Sequence, residues 1–169
     1  MEARDISRSH PHPFQISLRV RHPSIDPETI SRELKVEPEH SFKAGEPRQS
    51  ASGIAAAALH GETYWLGRLN APTTSSPLGG FSAPRGRVSR ERMHAAAAME
   101  SLSVALDVSV LSFLRPHAEF VRLLQCEEGQ VSLIIELSTH ALSGFTLSPA
   151  FMRTLCELGI ALEFDFVAS

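Results

Sequence analysis

Between Asp26 and Arg48 the chain gathers a carboxylate, an imidazole, an ammonium, a second carboxylate and a guanidinium: Asp26, His40, Lys43, Glu46 and Arg48. These are the groups that proton transfer and anion binding require, so a small-molecule hydrolase or transferase would place its ligand here. The same residues have a structural reading. Asp26 stands directly before Pro27, where it caps a helix, and the other four line a turn.

Elsewhere the chemistry thins out. His10 and His12 flank Pro11 in a polar stretch, and no other histidine pair has metal-ligand spacing, so neither a metal nor a cofactor is implied. There is no G-x-S-x-G nucleophile turn, and Gly79-Gly80 precedes no G-K-[ST]. Glu127 with Glu128, and Glu163 with Asp165, are paired carboxylates in a turn and on a strand, with nothing apolar around them to shift their protonation. No catalytic residue is assigned.

A second constellation is suited to a partner surface. Arg19 and Arg21 lie on one side of an alternating strand, Phe81 precedes Arg85, Arg87, Arg90 and Arg92, and Trp65 is the single tryptophan. The plainer reading makes the arginines a solvated edge and Trp65 core. The formal net charge of -3 disfavours nucleic acid as the partner.

The elements that must position these residues can be traced in order. Residues 1–13 read as a flexible arm. Phe14, Ile16, Leu18 and Val20 alternate with Gln15, Ser17, Arg19 and Arg21, which predicts a strand covered on one face. Asp26 as N-cap, Pro27 at N1 and the Ile25/Ile30 staple predict a helix to about Leu34. His40–Arg48 suggests a short strand and a glycine turn, and the alanine-rich run that follows predicts a loop with a helical turn or a small helix. Tyr64–Leu69 reads as a strand. A long loop at about 70–88 separates it from a helix capped by Ser89 and ending near Leu106.

Val108–Leu114 is ambiguous between helix and extended chain. Pro116 to about Gln125 predicts a helix with Phe120, Leu123 and Leu124 inward, and Val131, Leu133, Ile135 and Leu137 the inner face of a strand. The last stretch repeats the first cap. Ser148 and Pro149 open a helix with the Leu147/Met152 staple and a buried stripe of Phe151, Met152, Leu155 and Leu158. Gly159 stops it, and Ile160–Val167 alternates as a strand. The shared design of IDPETISRELKV and LSPAFMRTLCEL implies an α+β fold, a mostly antiparallel sheet with helices on one face. It has two β-α-β-like halves, related by duplication or by convergence on one capping solution. If the first and last strands are neighbours, Arg19 or Arg21 faces an acid across them.

A chain of 169 residues and 18.5 kDa fits one domain, here 14–169 behind the arm. Cys126 and Cys156 sit among apolar neighbours and read as core thiols. No apolar run reaches membrane-spanning length, and MEARDISRSHPHPF lacks the apolar region of a signal peptide, so a cytoplasmic protein with no membrane partner is expected. The oligomeric state is left open.

The run from Ile25 to Arg48, the Trp65 strand and the terminal LSPAFMRTLCELGIALEFDF together resemble the DUF4279 family, whose function is uncharacterised. The resemblance covers most of the chain. Gln49–Gly61 and Ala71–Arg87 look like additions to the family pattern. Some members occur near bacterial toxin–immunity genes, so the resemblance implies a bacterial protein with an immunity-like binding role, and it supplies no catalytic residues. The leading expectation is a protein-interaction module whose partner is another protein. A hydrolase or transferase acting at Asp26, His40, Lys43, Glu46 and Arg48 is the alternative.

Overall fold

A computed structural model describes residues 14–49, 55–69, 102–138 and 145–167, to which the structural statements below refer. The expected arm at 1–13, the loop at about 70–88 and the helix start at Ser89 lie outside these residues.

The central strand is β1 (Phe14–His22). Its period-two pattern has the expected consequence: Ile16, Leu18 and Val20 are buried on one face, opposite Ile135, Leu133 and Val131 of β6 (Gln130–Ser138). On its other side β1 pairs antiparallel with β5 (Thr63–Arg68), which sets Val20 opposite Trp65. β2 (Pro38–Phe42) adds antiparallel to β5, and β7 (Ala161–Val167) adds parallel to β6, giving the order β2-β5-β1-β6-β7. The fold is α+β with a mostly antiparallel sheet.

Both β-α-β units are present, but they are closed differently. In the second, β6 and β7 are hydrogen-bonded neighbours joined through α4 (Pro149–Glu157). In the first, α1 (Pro27–Leu34) connects β1 to β2, and β5 is inserted between those two strands. The first and last strands are therefore not neighbours; β6 separates them.

The helices pack on one face. Ile30 and Leu34 of α1, Phe151 and Leu155 of α4, and Val121 and Leu124 of α3 (Ala118–Cys126) join one core cluster with Leu18, Trp65 and Leu133. Helices of eight and nine residues are too short to persist alone. Each fully buried leucine or isoleucine contributes roughly 2 kcal/mol, so packing holds them rather than propensity. The caps set their starts. Asp26 accepts from the Glu28 N–H at 3.0 Å and Ser148 from the Phe151 N–H at 3.1 Å. Gly159 at φ 59° ends α4 in the left-handed conformation that favours glycine.

Three expectations are corrected and one ambiguity is resolved. The described part of the alanine-rich run forms no helix. Ala55–Leu59 is a strand (β4) that pairs with β3 (Pro47–Gln49) in a separate two-stranded sheet. Its base is fixed by the Gly45 N–H donating to the His60 carbonyl at 2.8 Å and the His60 N–H to the Glu46 carbonyl at 2.9 Å, which overrides alanine's helical preference. The 108–114 region is helical: a π-helical segment, Ala105–Val110, runs directly into Leu111–Leu114, and the two together are α2.

The inward stripes of the last two helices are narrower than predicted. Leu123 is 51% and Met152 39% exposed, because Val121/Leu124 and Phe151/Leu155 already fill the contact with the sheet. Both cysteines are exposed free thiols: Cys126 ends α3, and Cys156 follows the buried Leu155 on the outward side of α4. Among the described residues, no helix is long and apolar enough to cross a membrane.

Candidate functional site

Of the five clustered polar residues, the fold brings three together. Asp26 uses one carboxylate oxygen for the α1 cap and the other for Lys43 Nζ at 2.5 Å. The Lys43 N–H donates to Glu46 Oε2 at 2.9 Å, and the Glu46 N–H returns to the Lys43 carbonyl at 3.1 Å, closing a turn around Gly45 at φ 83°. The Lys43 hydrogen bond, then the Glu28 amide, hold the Asp26 carboxyl below its ordinary range, and the Asp26 carboxylate raises Lys43 in return. Both are surface groups engaged with each other. His40 and Arg48 are exposed and make no side-chain hydrogen bond or ion pair among the described residues. None of the five lines either cleft described below.

The residues assigned to a partner surface divide. Arg19 and Arg21 lie on the sheet face opposite the core. Arg19 pairs with Glu163 and donates to Ser132 Oγ at 3.4 Å, and Arg21 approaches Glu62 at 3.7 Å. Trp65 belongs to the core: it is 0% exposed, with its indole N–H donating to Ser31 Oγ at 3.0 Å. Phe81, Arg85, Arg87 and Arg90 lie outside the described residues.

Register builds the rest of that open face. Near the β2 edge the Phe42 ring stacks on His60 with centroids 3.7 Å apart and on Tyr64 at 5.1 Å. At the other end of β5 Arg68 pairs with Glu39 at 2.5 Å. At the opposite edge Glu136 of β6 and Asp165 of β7 are direct register partners, and neither has a cation partner among the described residues. Like charges set side by side across strands disfavour the free sheet. Phe166, next in β7 and 63% exposed, points to the other face with its register partner, the core residue Leu137. The face opposite the core is therefore polar and mixed in charge on the β2 side, and acidic on the β7 side.

A cleft of about 440 Å³ opens between the C-terminal end of α1, the start of β1, the end of β5 and α2. Ile16, Leu69 and Val110 give it an apolar floor, and Val36 and Phe113 wall it. Its polar groups are Lys35, Glu37, Arg68 and Ser109. Ser109 Oγ is buried without a hydrogen-bond partner among the described residues. In regular α-helix a hydroxyl turns back to the carbonyl four residues earlier, as Ser31 and Thr154 do at 3.2 and 3.1 Å. Ser109 sits inside the π-helical segment, whose wider turn removes that geometry and leaves an uncompensated group costing roughly 1–3 kcal/mol.

Lys35 occupies the left-handed region at φ 55°, closing α1 with its N–H on the Ser31 carbonyl. Burial, and then the Lys35 charge, push the His117 imidazole below its ordinary value. A second cleft, about 370 Å³, runs along α1 past Ser31, Arg32 and Pro38, and shares Glu37 with the first.

No local motif marked Lys35, Glu37 or Ser109, since they come from two distant stretches of chain joined only by the fold. The ambiguous 108–114 segment was the one hint. No group of three His, Cys, Asp or Glu side chains is placed to hold a metal among the described residues. Comparison with family models, curated proteins and solved structures gives no match for this chain.

Proposed function

We propose that this protein is a protein-interaction module that engages another protein through the open face of its five-stranded sheet, at the β6–β7 side. The observation that carries this reading is the Glu136/Asp165 register pair, a half-buried and an exposed acid side by side on the face opposite the core, with no cation among the described residues to offset them. A partner presenting lysine or arginine there relieves repulsion that the free protein retains. Such a partner is basic where it makes contact. An immunity-like role, which the DUF4279 resemblance implies, is one form of this reading, although no family model matches the chain. Hydrolase or transferase chemistry at Asp26–Arg48 has less behind it, since Asp26 and Lys43 satisfy each other at the surface, away from both clefts.

The test is capture from the host with tagged protein, comparing wild type with Glu136→Lys/Asp165→Lys, followed by a binary titration with the purified captured protein. A stoichiometric partner whose affinity falls at least about tenfold in the double variant supports the reading. Binding that is indifferent to charge reversal contradicts it.

A further inference from the structure

We propose that the cleft between α1, β5 and α2 is a binding site for a small zwitterion with an apolar body, an α-amino acid carrying an apolar side chain, with its carboxylate at Lys35 and its ammonium at Glu37.

The argument begins with what the cleft already neutralises. Arg68 is engaged by Glu39 at 2.5 Å, so its charge is met within the fold. Lys35 and Glu37 both line the cleft, and neither has an ion-pair partner among the described residues. One unmatched charge of each sign, two positions apart in sequence, suits a ligand that carries both. A simple anion would leave Glu37 facing it, and a simple cation would leave Lys35.

Between these charges and α2 the surface is apolar: Ile16, Leu69, Val110 and Phe113. The volume of about 440 Å³ lies within the range of small-molecule sites, which combine apolar walls with a few placed polar groups.

Two features that are costly to the free protein converge on the same place. Among the described residues the Ser109 hydroxyl is buried without a partner in a π-helical turn, a distortion that recurs at functional sites. It can donate to a ligand carboxylate entering beside Lys35 with a small adjustment of the cleft wall. Lys35 itself stands at φ 55°, where glycine would be unstrained, so the cation sits on a strained backbone position. Neither Glu136 nor Asp165 lines the cleft, so this assignment is independent of the partner surface.

Isothermal titration calorimetry on the full chain with L-phenylalanine, 3-phenylpropionate and phenethylamine tests it. Phenylalanine is expected to bind saturably, and each analogue lacking one charged group about tenfold or more weakly. Lys35→Gly, which suits the left-handed backbone and keeps the fold, should erase the advantage of phenylalanine over phenethylamine. Glu37→Gln should erase its advantage over 3-phenylpropionate. Trp65 is the sole tryptophan and packs against Val36 of the cleft wall, so its fluorescence should change with the same saturation curve. Absence of saturable binding by phenylalanine at about 10 mM overturns the proposal. Equal binding of 3-phenylpropionate and phenylalanine, or phenylalanine binding untouched by Lys35→Gly, overturns it as well.

Discussion

Arg19 and Glu163 form an ion pair across an intervening strand. Arg19 is on β1 and Glu163 on β7, and the guanidinium passes over Ser132 of β6, to which it also donates a hydrogen bond. An acid opposite Arg19 is expected from the strand patterns if β1 and β7 are adjacent. The contact exists without that adjacency, because an arginine side chain is long enough to span one strand. Side-chain exposures of 22% and 36% leave the pair partly screened, so it contributes about 0.5–1 kcal/mol. A double-mutant cycle with Arg19→Met and Glu163→Gln in urea denaturation should return a coupling of that size. Zero coupling would show that the two side chains do not act together.

Asp26 combines a helix cap with the Lys43 contact, and both favour its ionised form. The carboxyl is depressed in the folded chain below its ordinary value of 3.8, so its stabilisation is present above that value. It is lost as pH falls through the lower, folded value. Asp26→Asn should lower the denaturation midpoint at neutral pH and narrow its gap from wild type as the pH drops below about 4. A gap unchanged with pH would refute the charge contribution.

Gly67 has no room for a side chain. A Cβ there would lie 2.3 Å from the Trp65 ring and 2.8 Å from Val36. Gly67→Ala should cost about 1–3 kcal/mol by overpacking, read as a lowered urea midpoint with an unchanged slope.

Exposure of both thiols changes what a labelling experiment should find. Cys126 and Cys156 should react with a thiol reagent in the native protein, without waiting for unfolding. Labelling that occurs only in denaturant would restore the core placement that their apolar neighbours suggest.

What was legible in the sequence is local. Asp26-Pro27 and Ser148-Pro149 predict helix starts because a cap needs only one side chain and the first turn's amides. The alternation of Phe14–Arg21 and Val131–Leu137 predicts inner faces because a strand's two sides differ by one residue. The insertion of β5 between β1 and β2 is not local, and neither is the opposition of Glu136 and Asp165; both depend on strand order. Ala55–Leu59 misleads because hairpin pairing outweighs alanine's helical preference. Leu123 and Met152 mislead because apolar type predicts burial only while the sheet has room. In the candidate site, Asp26, Lys43 and Glu46 were rightly grouped, though their grouping builds a turn. Lys35, Glu37 and Ser109 meet only because α1 and α2 border one end of β5.

The partner surface is tested most directly by amide hydrogen exchange on the complex with the captured protein. The account predicts slowed exchange or protection concentrated in 130–138 and 161–167, with the α1–α2 cleft and the β3–β4 hairpin unchanged. Protection confined to the helical layer or to the hairpin, with those two strands unaffected, would contradict it.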